Sequence, residues 1–137
     1  MKPMRPISIL LVLAGFFLPA CNGAQKEVEA LDKETKEIHD SAMNDLAAMN
    51  KVSLDLKAFM ATALMTPELS AKYTKVLTDM EKADSDMMEW MSKYEPVKDK
   101  PAQEALAYLK EQKAAITQNR DEIRAATEAG KKLLPAK

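Results

Sequence analysis

LSAKYTKVLTDMEKADSDMMEWMSKY, residues 69–94, is the stretch whose reading decides the fold. Its apolar positions Leu69, Tyr73, Val76, Met80, Ala83, Met87, Trp90 and Tyr94 recur at alternating spacings of four and three. That spacing places them on one seam of a helix that is buried against partner helices, so the stretch reads as the central helix of the chain. Just before it, Thr66-Pro67-Glu68 is a helix start signal: threonine can cap, proline suits the first helical position, and glutamate suits the positive end of the helix dipole. Just after it, Pro96 disfavours helical dihedrals at the residue before it and ends the helix.

Towards the amino end, Ile38, Ala42, Leu46, Met49, Ser53, Leu56, Met60 and Leu64 form a second seam that no Gly or Pro interrupts. The connection to Pro67 is so short that the two helices are expected to lie antiparallel. Towards the carboxyl end, Pro96-Val97-Lys98-Asp99-Lys100 makes a second connection and Pro101 opens a third helix that runs to about Leu134, where Pro135 stops it. The third seam, Ala105, Leu109, Gln112, Ile116, Asn119, Ile123, Ala126, Gly130 and Leu133, is less apolar. Its two amides, Gln112 and Asn119, are of the kind that fix register inside a bundle. The expectation is an all-α fold over residues 37–137: an elongated, coiled-coil-like, antiparallel up-down-up three-helix bundle, with its middle helix about 42 Å long.

The front of the chain is read as an address. Lys2 and Arg5 precede an apolar run from Ile7 to Leu18 that is too short to span a bilayer, followed by Leu18-Pro19-Ala20-Cys21. This is similar to the lipobox cut by lipoprotein signal peptidase, which makes residues 1–20 a removed signal peptide and Cys21 the lipidated first residue. Cys21 is the only cysteine, so no internal disulfide can form. Acyl chains contribute about 0.8 kcal/mol per buried CH₂, enough for several chains on Cys21 to hold the protein on a membrane. Residues 21–36 are polar and highly charged and read as a tether, with Val28 and Leu31 too isolated to build a core.

Composition excludes several function classes. The formal net charge is −1 with no cluster of Lys or Arg, so nucleic acid is not an expected partner. A single histidine without a partner cysteine does not suit zinc. Scattered glycines offer no phosphate loop, no nucleophile has a base at a plausible spacing, and no catalysis is expected.

One constellation carries possible chemistry. Folding the first two helices against each other brings His39 level with residue 92 and Met43 level with Met88, while Tyr108 falls at a similar height on the third helix. His39 and Met43 share one face of helix 1, and Met87 and Met91 share one face of helix 2. Thioethers and an imidazole (His39, Met43, Met87, Met88, Met91), with Trp90 beside them, suit copper(I), and a His and Met pair is also an axial ligand set for haem. The competing reading is packing, because Met fills irregular core gaps and packs well on aromatic rings. His39 and Asp40 are sequence neighbours, which do not face each other on a helix, so they are not expected to form a dyad.

Taken together, the lipobox, IHDSAM (residues 38–43) and MMEWM (residues 87–91) resemble a group of short Bacteroidota lipoproteins labelled "viral A-type inclusion protein". The matching positions are His39, Asp40, Met43, Met87, Met88, Trp90 and Met91. The resemblance implies a lipid-anchored helical protein of the Gram-negative cell envelope; the expected location is the outer membrane, facing either the periplasm or the cell surface. It carries no site residues with it. The expected role is non-catalytic, structural or protein-binding, with an envelope protein or a second copy of the chain as partner. The alternative is a copper(I)- or haem-binding protein.

Overall fold

Prolines and caps set the helix ends. The computed structural model describes residues 20–135, with side chains from residue 22 onward. Residues 1–19 of the expected signal peptide and the side chain of Cys21 lie outside that description. Helix α1 spans Ala20–Thr62, α2 spans Pro67–Lys93 and α3 spans Ala102–Leu133, and there is no strand among the described residues. Thr66 is extended and its Oγ1 accepts the Leu69 amide at 3.2 Å, with Pro67 in the first helical position and Glu68 in the first turn. At the other end of α2 the Tyr94 amide donates to the Trp90 carbonyl at 3.0 Å before the backbone turns extended ahead of Pro96. Pro101 sits one place before α3 rather than inside it, and its carbonyl accepts the Ala105 amide at 2.9 Å.

The seams read from the sequence supply the main core. Ala42, Leu46, Met49 and Leu56 of α1, Tyr73, Met80, Ala83 and Met87 of α2, and Ile116, Ile123 and Ala126 of α3 are buried together. Burial of each large side chain contributes about 1.5 to 3 kcal/mol. Leu64, expected on the α1 seam, is instead fully exposed, because α1 ends at Thr62 and Leu64 falls in the connection.

The central element differs from the expectation. α3 rather than α2 makes the more extensive contacts with the other two helices, above all with α1, whereas α1 and α2 touch least. Side-chain volume explains the asymmetry. Helix α3 buries Ala105, Ala126, Thr127 and Gly130, and α1 buries Ala42 and Thr35, small residues that let two helix axes approach closely. Met and aromatic side chains fill the space between α1 and α2. Gly130 marks the tightest point, since a Cβ there would lie 2.5 Å from Met80 Cε and 2.8 Å from Val52 Cγ1.

Cross-helix pairs show how the helices align. Glu34 with Lys113 and Asp45 with Arg124, each at 2.7 Å, advance together along α1 and α3. Asp32 with Tyr94 and Lys57 with Glu81 join α2 to α1, and Ala83 with Asn119 joins it to α3. Of the two inward amides of α3, Asn119 is 5% exposed and its Nδ2 donates to the Ala83 carbonyl at 2.9 Å, while Gln112 is only half-buried.

The stretch expected to be a tether is part of the bundle. Helix α1 runs unbroken through residues 21–36, Thr35 is fully buried, and Val28 is 4% exposed in a second core cluster with Val97, Ala105, Leu106 and Leu109. Val28 is therefore not isolated: the second connection folds Val97 onto it, a contact between residues far apart in the chain.

Candidate functional site

Next to the second connection the bundle carries a ladder of rings. His39 of α1 stacks on Trp90 of α2 with ring centroids 5.4 Å apart and planes 23° from parallel. Trp90 meets Tyr94 at 4.9 Å, and Tyr94 meets Tyr108 of α3 at 6.0 Å. Trp90 and Tyr94 are four residues apart on one face of α2, and His39 of α1 meets that face at Trp90.

Polar groups hold the two tyrosines of the ladder. The Tyr94 hydroxyl donates to Asp32 Oδ1 at 2.8 Å, and Lys36 donates to the other oxygen of Asp32 at 2.6 Å. Burial, helped by the Asp32 carboxylate, pushes the Tyr94 phenol well above its ordinary value of 10.0. The Tyr108 hydroxyl accepts the Glu95 amide at 2.6 Å, and the Lys100 ammonium stands 5.4 Å from the Tyr108 ring centre. Lys100 also pairs with Glu95 at 3.1 Å, the main cause of its raised pKa.

His39 and Asp40 do meet, contrary to the expectation for helix neighbours: His39 Nδ1 lies 3.1 Å from Asp40 Oδ1. In the tautomer whose Nδ1 donates to that carboxylate, Nε2 is the ring's remaining acceptor. Nε2 is buried and has no hydrogen-bond partner, and the same holds for Trp90 Nε1. A cavity of about 240 Å³ opens beside them, lined by Lys36, His39, Trp90, Met91 and Tyr94.

The five residues expected around a metal are separated. His39 and Met91 line the same cavity, with Trp90 between the helices. Met43 is half-buried against the main core, Met87 is wholly buried inside it, and Met88 is 47% exposed. Asp32 and Lys36 belong to the site but lie in the stretch read as a tether. Their spacing of four on a helix face was the one signal that could have placed them. Among the described residues no three His, Cys, Asp or Glu side chains gather as a metal site, and no helix is long and apolar enough to cross a membrane.

Fold and site define a three-helix bundle with a stacked aromatic patch at one end. No family model, curated protein or solved structure matches the chain.

Proposed function

We propose that this chain is a lipid-anchored helical protein of the Gram-negative cell envelope, held on the outer membrane through Cys21, with a non-catalytic structural or protein-binding role and the Bacteroidota lipoproteins it resembles as its relatives. The observation that carries the reading is the basic front, short apolar run and Leu18-Pro19-Ala20-Cys21. The continuity of α1 gives that anchor a mechanical meaning. Val28, the first buried residue among the described side chains, follows Cys21 by seven positions, about 10 Å of helical rise. An up-down-up bundle attached this way stands close to the lipid surface on a stiff helix rather than on a flexible leash, with the connection 94–101 at its membrane-proximal end. The opposite end, at the Leu64 connection, is then offered to an envelope partner or to a second copy.

The test is radiolabelled palmitate incorporation in a Gram-negative host, with fractionation of the wild-type chain beside Cys21→Ser. Label and outer-membrane recovery that both depend on Cys21 are expected. An unlabelled wild-type chain, or one that sediments with membranes equally well after Cys21→Ser, overturns the anchor.

A further inference from the structure

We propose that the cavity between α1 and α2 is a soft-metal site that takes copper(I), with His39 Nε2 and the Met91 thioether as donors and Trp90 as its aromatic wall. This goes beyond the envelope role and does not depend on it.

Four observations converge on this site. First, His39 Nε2 is buried without a hydrogen-bond partner. A buried polar atom left unpaired is costly, so its retention calls for a reason. Second, Asp40 occupies the other ring nitrogen at 3.1 Å. A carboxylate on the distal nitrogen is the arrangement that orients a metal-binding imidazole and raises its basicity. Third, Met91 and His39 line the same cavity from different helices, so a bound ion would bridge α1 and α2, the helix pair that packs least extensively overall. Fourth, the Trp90 ring, stacked on the imidazole, lines the same cavity beside both donors.

The donor chemistry selects the ion. An imidazole nitrogen and a thioether suit a soft monovalent cation such as copper(I), whereas zinc, calcium and magnesium call for more nitrogen, thiolate or oxygen ligands. The nearby carboxylate of Asp32 is taken up by Lys36 and Tyr94. Asp32 also engages the Lys36 ammonium, the one cation lining the cavity. Haem does not fit: about 240 Å³ is below the roughly 300 to 1,000 Å³ of ordinary small-molecule pockets, and Trp90 lies against the imidazole face. Of the methionines named from the sequence, Met91 alone lines the cavity. Met88 is exposed and Met87 is enclosed in the core.

The test uses the chain without residues 1–20 and with Cys21→Ser, which removes the only thiol, titrated anaerobically with copper(I) against a chromogenic chelator and with silver(I) as a redox-inert surrogate. Trp90 is the only tryptophan, so its emission reports on the site directly. One equivalent of copper(I) is expected to bind and quench Trp90 emission at least twofold. His39→Gln and Met91→Leu should each weaken binding tenfold or more while helicity by circular dichroism stays unchanged. Met88→Leu should bind as the wild type does, and zinc(II) should leave the emission unchanged. Undiminished binding in His39→Gln or in Met91→Leu overturns the site, as does an equal loss in Met88→Leu or a wild-type chain that takes up no stoichiometric copper(I). If His39→Gln fails to fold, Met91→Leu decides the question alone, since Leu and Met differ little in volume and helix propensity.

Discussion

Gly130 is the residue on which the packing of α3 is tightest. Alanine there would gain about 1 kcal/mol of helix propensity, but its Cβ would fall 2.8 Å from Val52 Cγ1 and 2.5 Å from Met80 Cε. The Met80 methyl can swing away, whereas Val52 is stiff at its branched carbon. Overpacking costs typically about 1 to 3 kcal/mol, so Gly130→Ala is expected to destabilise the fold by about 1 kcal/mol in urea unfolding. A stabilised variant would mean that α1 and α3 yield more easily than their close approach implies. Thr66 poses the converse case at the surface: Thr66→Ala removes the oxygen that accepts the Leu69 amide and should cost about 1 kcal/mol by the same measurement. Tyr94 sets an alkaline limit. Its phenol is pushed up in the folded state, so the neutral form is the one the fold favours. That contribution is fully present below the ordinary value of 10.0 and is lost as pH rises through the higher folded value. Tyr94→Phe, which cannot ionise, should therefore lose less stability than the wild type above about pH 10, and unfolding midpoints measured in parallel would check it. Equal alkaline losses would show that Tyr94 is not held neutral by its surroundings.

At the scale of the element, α1 divides into two parts that serve different cores. Its later turns bury Ala42, Leu46, Met49 and Leu56 in the main cluster, while Val28 packs on Val97, Leu106 and Leu109 in the second. Val28→Asp forfeits about 2 kcal/mol of burial and is expected to act locally. Amide exchange should show protection lost over residues 24–35 and around Val97, with residues 42–56 unchanged. Simultaneous loss along all three helices would make the two clusters one cooperative unit. The helix ends themselves were legible beforehand, because capping and proline effects act within a few residues of chain. The role of α3 was not. Its seam looked the weakest because it is poor in large apolar residues, and that same poverty of side-chain volume lets it sit closest to α1.

Over the described residues the longest element is α1. Its 43 residues rise about 65 Å, and α2 and α3 run along it, held by such pairs as Asp45 with Arg124 and Asn119 with Ala83. Small-angle scattering of the chain from residue 21 onward should give a maximum dimension near 65 Å. A value approaching twice that would mean that α1 and α2 open into a single span. Such a bundle buries little core per residue, which is why so much of its close packing falls to alanine, threonine and glycine on α3.

The sequence by itself determined three helices, their ends at Thr66-Pro67, Pro96, Pro101 and Pro135, and the seam from Leu69 to Tyr94, because caps, proline geometry and the helical period are local properties of the chain. It also brought His39 to the height of the MMEWM segment by counting residues across a short turn. Only the tertiary structure decided which of those methionines the histidine meets. Adjacent residues on a helix point about 100° apart, so Met87 turns into the core, Met88 into solvent and Met91 into the cavity with His39. The rotation of one helix about its axis against another comes from packing across the whole bundle, not from any spacing within a single helix. The same holds for Val28: its partner Val97 lies at the far end of another hairpin, and nothing near Val28 in sequence announces it.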